Sequence, residues 1–272
     1  MAQVQQVKLY LMISGGVGVL AFADNDVNKQ GKQMEGLPVI SPCELNKYDY
    51  DAIIIASHPG LEPLYNQLIS LGVDENKIIT DYVYVSQKAR IIFFEKYAQL
   101  QSNIKGSVAE GGVFQGECAK EINRVFPNKK IYLFDTFSGF DKRDVDVDEQ
   151  RGLTAKGISG FGHLNITDEN LVLSKLPFPK MCEIRKGYFP ETAEGINDTF
   201  CFVNLDFDLY QPTKAALEFF VPKMEKGGVI LIHDYFHKGN YGIKEAIDDY
   251  MKENGRLNLF PIGDGISIGI LF

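Results

Sequence analysis

Two short segments carry much of the chemistry that can be read from this chain. In VNLDFDLY, Asp206 and Asp208 stand two residues apart, and in ILIHDY, His233 and Asp234 are adjacent. Each group follows an apolar run that reads as a strand, so the two strand ends are expected to be neighbours on one sheet edge. Two carboxylates with an imidazole or a third carboxylate suit a hard divalent cation such as Mg²⁺, completed by water and substrate oxygens. The same groups suit proton transfer, because a neutral imidazole can act as a base near neutral pH. Asp206, Asp208 and His233 are the candidate catalytic residues, and Asp206, His233 and Asp234 the candidate metal ligands. A lone Asp-x-Asp pair also fits a solvated loop; the pairing with His233-Asp234 favours chemistry.

A second constellation lies nearer the middle of the chain. Glu110, Gly112 and Gly116 form an E-x-G-x-x-x-G spacing across a strand-to-helix turn. Gly112 lets the backbone approach a ligand, Gly116 lets the helix pack closely, and the helix N-terminus favours negative charge. Asp135 ends the next strand, 25 residues after Glu110, at the carboxyl edge where an acidic side chain can clamp a ribose diol.

The elements that must position these groups run from Ser107 onward. The order is strand (SVAEGGV), helix (GECAKEINRVF), strand (KIYLFD), a long polar insertion, strand (EIRKGY), strand (TFCFVNLDFD), helix (PTKAALEFFV) and strand (GGVILIHD). Strands alternating with helices build a parallel sheet. A helix over 240–254, with Ile243, Ala246, Ile247, Tyr250 and Met251 on one stripe and Gly255 as C-cap, leads to a closing hairpin, LNLFPI-GDG-ISIGILF. Residues 141–180 are charged and Gly-rich and too long for an ordinary connection, so they are read as a lid over an acceptor that His163 and Tyr188 could touch.

Residues 1–85 form a separate small α/β unit, joined by a helix over about 86–103 to a main domain over 104–272. Gly15, Gly16 and Gly18 suggest a dinucleotide loop, but too few residues separate MIS from VLAFAD for the helix that such a loop requires. These two strands are therefore expected to form a hairpin or a truncated crossover.

The chain has 272 residues, 45% hydrophobic and 24% charged, with a net charge of -8, which places it among ordinary globular proteins. The acidic balance and the lack of a basic stripe argue against nucleic acid as a partner. No apolar run approaches the ~20 residues that span a bilayer, and the start lacks a signal pattern. Cys43, Cys118, Cys182 and Cys201 are widely spaced singles, as in a cytoplasmic protein with reduced thiols.

A parallel α/β sheet closed by an antiparallel hairpin resembles the Rossmann-like fold of S-adenosylmethionine-dependent methyltransferases. From Ser107 to Phe272 the chain resembles the macrocin O-methyltransferase family, which methylates sugar hydroxyls in macrolide biosynthesis. The resemblance rests on VAEGGVFQGECAKEIN, KIYLFDTFSGFDKRD, KGYFPET, FVNLDFDLYQPTKAALEFFVPKMEKGGVILIHDY and GIKEAIDDYM, in that order. It implies that Glu110, Gly112 and Asp135 contact S-adenosylmethionine, that Phe137 and Ser138 line that pocket, and that the acids after the fourth and fifth strands hold a divalent metal. Gly116 and Thr136 complete the candidate cofactor set. The segment from FADNDVNKQ to YDAIIIAS is similar to small Rossmann-like modules beside sugar-modifying enzymes, without the phosphate loop and its helix. Two departures stand out: Gly111 replaces a larger apolar residue, which should loosen the turn, and His233 replaces an expected carboxylate.

The resemblance implies methyl transfer to a hydroxyl of a sugar or glycan precursor, with Mg²⁺ in doubt at His233 and a homo-oligomer as a further allowed partner. Two alternatives stay open. One is a non-catalytic protein that binds a nucleotide sugar or an enzyme partner, and the other an NAD-dependent oxidoreductase, for which Asp135 would serve equally well.

Overall fold

A computed structural model describes residues 9–13, 18–56, 61–153, 162–237 and 241–272. The chain divides into two compact units, Met1–Gln87 and Lys88–Phe272. No described helix is long and apolar enough to cross a membrane.

In the first unit, β1 (Leu9–Ile13), β2 (Gly18–Ala23), β3 (Gln33–Met34), β4 (Leu37–Ile40), β5 (Ala52–Ile55) and β6 (Ile78–Ile79) form one sheet, in the order β3-β4-β2-β1-β5-β6. β1 and β2 pair antiparallel, the hairpin expected where the glycines left no room for a helix; residues 14–17 between them lie outside the described residues. α1 (Leu61–Ser70) packs Leu64 and Leu68 against Ile53 and Ile55.

α2 (Val85–Leu100) begins the approach to the second unit. Read from the sequence as a connector, it is built into the second unit's core. Phe94 is fully buried and meets the Phe202 ring edge-on at 5.2 Å, a burial that contributes about 1.5–3 kcal/mol. The Tyr97 hydroxyl lies 2.9 Å from the carbonyl oxygens of both Cys201 and Gly227.

The second unit continues with β7 (Ser107–Gly111), α3 (Glu117–Val125), β8 (Ile131–Asp135), α4 (Lys142–Arg151), α5 (Glu169–Lys175), β9 (Cys182–Lys186), β10 (Phe200–Leu205), α6 (Tyr210–Phe220), β11 (Met224–Ile232), α7 (Gly242–Asn254), β12 (Asn258–Pro261) and β13 (Ile268–Leu271). The sheet order is β12-β13-β11-β10-β7-β8-β9; β7 to β11 are parallel, and β13 runs antiparallel to β11 and β12. β10 is buried along all six residues, as its unbroken apolar run requires of a strand covered on both faces. One face carries Leu217 and Phe220 of α6 with Ile243 and Ile247 of α7; the other carries Phe94 of α2, Ile122 of α3 and Val172 of α5. The chain winds outward one way from β7 and the other way from β10, so these neighbours flank the switch point where open α/β sheets bind ligands.

Within the segment 141–180, read from the sequence as a lid, the described residues form two capped helices. Asp141 caps α4 by accepting from the Arg143 amide, Gly152 closes it at φ +64°, and Asp168 caps α5 through the Leu171 amide. Residues 154–161 and the His163 side chain lie outside the described residues.

Candidate active site

The residues singled out from the sequence gather at the carboxyl edge of β7, β8, β10 and β11. Asn204 pairs with Glu110, Leu205 with Gly111, and Leu205 with Ile232, so Asp206 and His233 are the first residues past paired strand ends. Main-chain hydrogen bonds fasten that edge. The Asp206 amide donates to the Gly111 carbonyl at 2.7 Å, the His233 amide to Leu205 at 2.9 Å, and the Gly112 amide to Phe134 at 2.9 Å. Gly112 sits at φ +80°, and a Cβ there would lie 2.0 Å from the Asp206 carbonyl oxygen. Glycine is therefore required by close approach within the protein as well as by the turn.

Gly111 has a different reason. A Cβ at this position would fall 2.3 Å from the Phe207 ring, and that ring packs 5.3 Å from Phe189. Phe207, the middle residue of Asp-Phe-Asp, fills the space of the missing side chain. The turn is thus not loosened, contrary to the expectation from sequence.

Backbone strain marks the same edge. Five non-glycine described residues have positive φ, and four of them follow these strands: Phe114 (47°), Phe137 (54°), Asp208 (62°) and Asp234 (59°). Such conformations cost about 1–3 kcal/mol each and cluster where a site over-determines its geometry.

Glu110 and Asp135 do lie at one rim, on adjacent strands. Glu110 is fully buried, its Oε1 accepting from Asn204 Nδ2 at 3.1 Å, while Glu110 Oε2 and Asn204 Oδ1 have no hydrogen-bond partner. Burial first, then the Asp206 charge, pushes Glu110 up to about 8, so it carries a proton at pH 7. Asp135 accepts three amides: Val113 and Phe114 on Oδ2 at 2.7 and 2.9 Å, and Phe137 on Oδ1 at 2.7 Å. It ties the glycine turn to the turn after β8. Thr136 Oγ1 donates to the Gly139 carbonyl and accepts from the Ser138 amide. Ser138 is exposed, whereas the Phe137 ring is buried in the core. Gly116, at φ +80°, is the N-cap of α3 and offers no side-chain hydrogen bond to it, so that helix end is open to an anion.

Across the rim, His233 Nδ1 lies 2.9 Å from Asp206 Oδ1 and 3.2 Å from Asp234 Oδ1. The other oxygen of Asp206 accepts from Arg90 Nη1 at 3.5 Å. Burial disfavours the charged forms of both Asp206 and His233. The pair's mutual attraction and hydrogen bond prevail, so Asp206 falls below the ordinary carboxylate value and His233 rises above that of a free imidazole. Asp208 is raised well above the usual range by burial and by the negative charges of Asp206 and Asp234.

The three candidate metal ligands, Asp206, His233 and Asp234, are brought together. The His233 Nδ1 faces both carboxylates, and the Arg90 guanidinium approaches the other oxygen of Asp206. Among the described residues, no group of three His, Cys, Asp or Glu is arranged to hold a metal ion.

Three buried or half-buried charged residues had no clear signal in the sequence. Arg90 lies 116 residues before Asp206 on a helix read as a connector. Asp144 and Asp148, one turn apart on α4, are buried, with the Tyr188 hydroxyl donating to Asp144 at 2.9 Å and the Tyr210 amide to Asp148 at 3.1 Å. Burial leads the causes that raise both to about 6. Tyr188 is thus engaged with Asp144, and Arg143 stacks on its ring at 3.5 Å; their i, i+4 spacing was the one visible clue.

Comparison with known proteins now bears on this geometry. The family described as Macrocin-O-methyltransferase (TylF) matches residues 60–260. The chain belongs to the macrocin O-methyltransferase family. Residues 2–79 match a second family, described as C2185-like, N-terminal. A curated relative from Streptomyces olivaceus, the 8-demethyl-8-(2,3-dimethoxy-alpha-L-rhamnosyl)-tetracenomycin-C 4'-O-methyltransferase, is 24% identical over 179 residues, covering 55% of this chain. The match spans 64% of that relative, less than two thirds of its length. Among solved structures, the O-methyltransferase NovP has a TM-score of 0.57 at 22% identity over 67% of this chain and 79% of its own. CalS11, a calicheamicin methyltransferase, has a TM-score of 0.53 at 20% identity over 79% of this chain and 87% of its own. Both share the α/β methyltransferase fold of the second unit.

Proposed function

We propose that this member of the macrocin O-methyltransferase family transfers a methyl group from S-adenosylmethionine to a hydroxyl of a sugar or sugar-bearing natural-product precursor. The observation that carries the reading is the convergence, at the sheet's switch point, of the Gly112 turn and Asp135 with the Asp206–His233–Asp234 cluster. The named activity of the tetracenomycin relative supports a sugar acceptor.

The residues of the rim fit the cofactor. The uncapped N-terminus of α3 suits its carboxylate. Asp135 uses three of roughly four lone-pair positions on backbone amides, which leaves one for a ribose hydroxyl. Glu110 Oε2 is a buried polar atom without a partner beside the same turn. Bound there, S-adenosylmethionine supplies a methyl carbon activated by its sulfonium.

The chain's own part is to present the acceptor oxygen and remove its proton. Asp206, held ionised by His233 and Arg90, accepts a hydrogen bond from the hydroxyl and orients it toward the methyl carbon. Asp208 in its ionised form is the assigned acceptor of that proton; what raises its affinity for protons makes that form the stronger base. The four free cysteines support a reducing, cytoplasmic setting.

The test combines ligand-induced stabilisation with turnover. S-adenosylhomocysteine at 100 times its Kd should add about 2.7 kcal/mol to stability, in the wild type and in Asp206→Asn alike. Methyl transfer should fall about 10²–10⁴-fold in the variant. Unchanged turnover removes Asp206 from the mechanism. Stabilisation by NAD alone, or by a nucleotide sugar alone, replaces the transferase reading with an oxidoreductase or a non-catalytic binder.

A further inference from the structure

The rim after β10 and β11 holds three carboxylates, Asp206, Asp208 and Asp234, within one partly buried cluster. Burying that much like charge needs compensation. In a site of this kind the compensation can come from a divalent cation or from the protein. Here a guanidinium and an imidazole already face Asp206, one on each oxygen: Arg90 Nη1 at 3.5 Å on Oδ2 and His233 Nδ1 at 2.9 Å on Oδ1. His233 also reaches Asp234 at 3.2 Å, bridging the ends of β10 and β11.

Arg90 is the more telling of the two. Guanidinium stays charged at any pH the protein meets, and the Arg90 side chain is only 14% exposed. Its ion-pair partner, Asp206, is carried by a different segment of the chain, at the end of β10. A divalent ion on Asp206 would have to displace or closely approach both this guanidinium and the imidazole. The fixed positive charge of the guanidinium opposes that approach.

We propose that Arg90 and His233 together take the place of a divalent cation in this site, so that the enzyme works without a metal ion. Arg90 is a positioning residue in this scheme: it keeps Asp206 ionised and oriented and touches neither methyl donor nor acceptor. His233 bridges Asp206 and Asp234 as a metal would bridge two ligands. The inference rests on the transferase reading for the words "the enzyme works", while the claim about the cation position stands on the geometry alone.

Two measurements on the full chain separate the claims. The first is Mn²⁺ titration followed by electron paramagnetic resonance, in the wild type, in His233→Asp and in Arg90→Gln/His233→Asp. The wild type should show no saturable Mn²⁺ binding, and the double variant should bind Mn²⁺ saturably at one site. The second is methyl transfer by the wild type with EDTA and with added Mg²⁺, which should give equal rates. Saturable Mn²⁺ binding to the wild type that Asp206→Asn abolishes overturns the proposal, as does a rate that EDTA removes and Mg²⁺ restores. Should the double variant fail to fold, the wild-type titration and His233→Asp still decide it. An absence of methyl transfer under every condition, together with no Mn²⁺ binding, refutes the transferase reading and leaves the cation assignment in place.

Discussion

Replacing Gly112 by alanine tests whether the glycine turn after β7 and the acidic cluster form one mechanical unit. The added Cβ would sit 2.0 Å from the Asp206 carbonyl oxygen and 2.6 Å from its carbon, both main-chain atoms that no rotamer change can clear. A residue with a side chain at φ +80° costs about 1–2 kcal/mol. Overpacking that only backbone movement relieves adds about 1–3 kcal/mol. The expected loss is about 2–5 kcal/mol, read as a lower urea midpoint at unchanged slope. Because the strand end that yields also carries Asp206, methyl transfer should fall more than S-adenosylhomocysteine affinity. Gly111→Ala is the control: its Cβ meets the Phe207 ring, which can rotate, so the loss should be smaller and Phe207→Leu should recover part of it. If Gly112→Ala is as stable and as active as the wild type, the close approach between the two turns is not structural and the reasoning fails.

Other consequences can be checked in the same way. Asp148 rises from 3.8 to about 6 on folding, chiefly by burial, with one oxygen lacking a partner. The folded state therefore binds the proton more tightly, and this group's contribution is fully present below about pH 4 and lost as pH rises through about 6. Asp148→Asn should then gain stability over the wild type by up to about 3 kcal/mol at pH 7.5 and little at pH 4; a pH-independent difference contradicts the assignment. Tyr97→Phe leaves the Cys201 and Gly227 carbonyls without their shared hydroxyl and should cost about 1–3 kcal/mol in urea unfolding with kcat unchanged.

The strand ends were legible because open α/β sheets place chemistry at one edge, and Glu110, Asp135, Asp206 and His233 each follow an apolar run. The parallel sheet followed from the alternation of strands and helices, and the closing hairpin from the GDG turn between LNLFPI and ISIGILF. Arg90 was not legible, since its partner is set by packing of a helix whose apolar residues spread around its circumference. α4 was hidden for a different reason: in KRDVDVDEQR the residues facing the core include two aspartates, so no apolar stripe announces the helix. His233 was visible as a departure, but its pairing with two carboxylates and the nearness of Arg90 needed the packing of the strand ends.

Asp135 braces two loops with a single carboxylate, since the amides of Val113, Phe114 and Phe137 all converge on it. On the proposed reading, a ribose drawing on its last lone pair would join a scaffold that these amides have already assembled. The corollary is that neutralising Asp135 dismantles the cradle along with the grip, so weakened nucleoside affinity in such a variant would measure collapsed architecture as much as a missing hydroxyl partner.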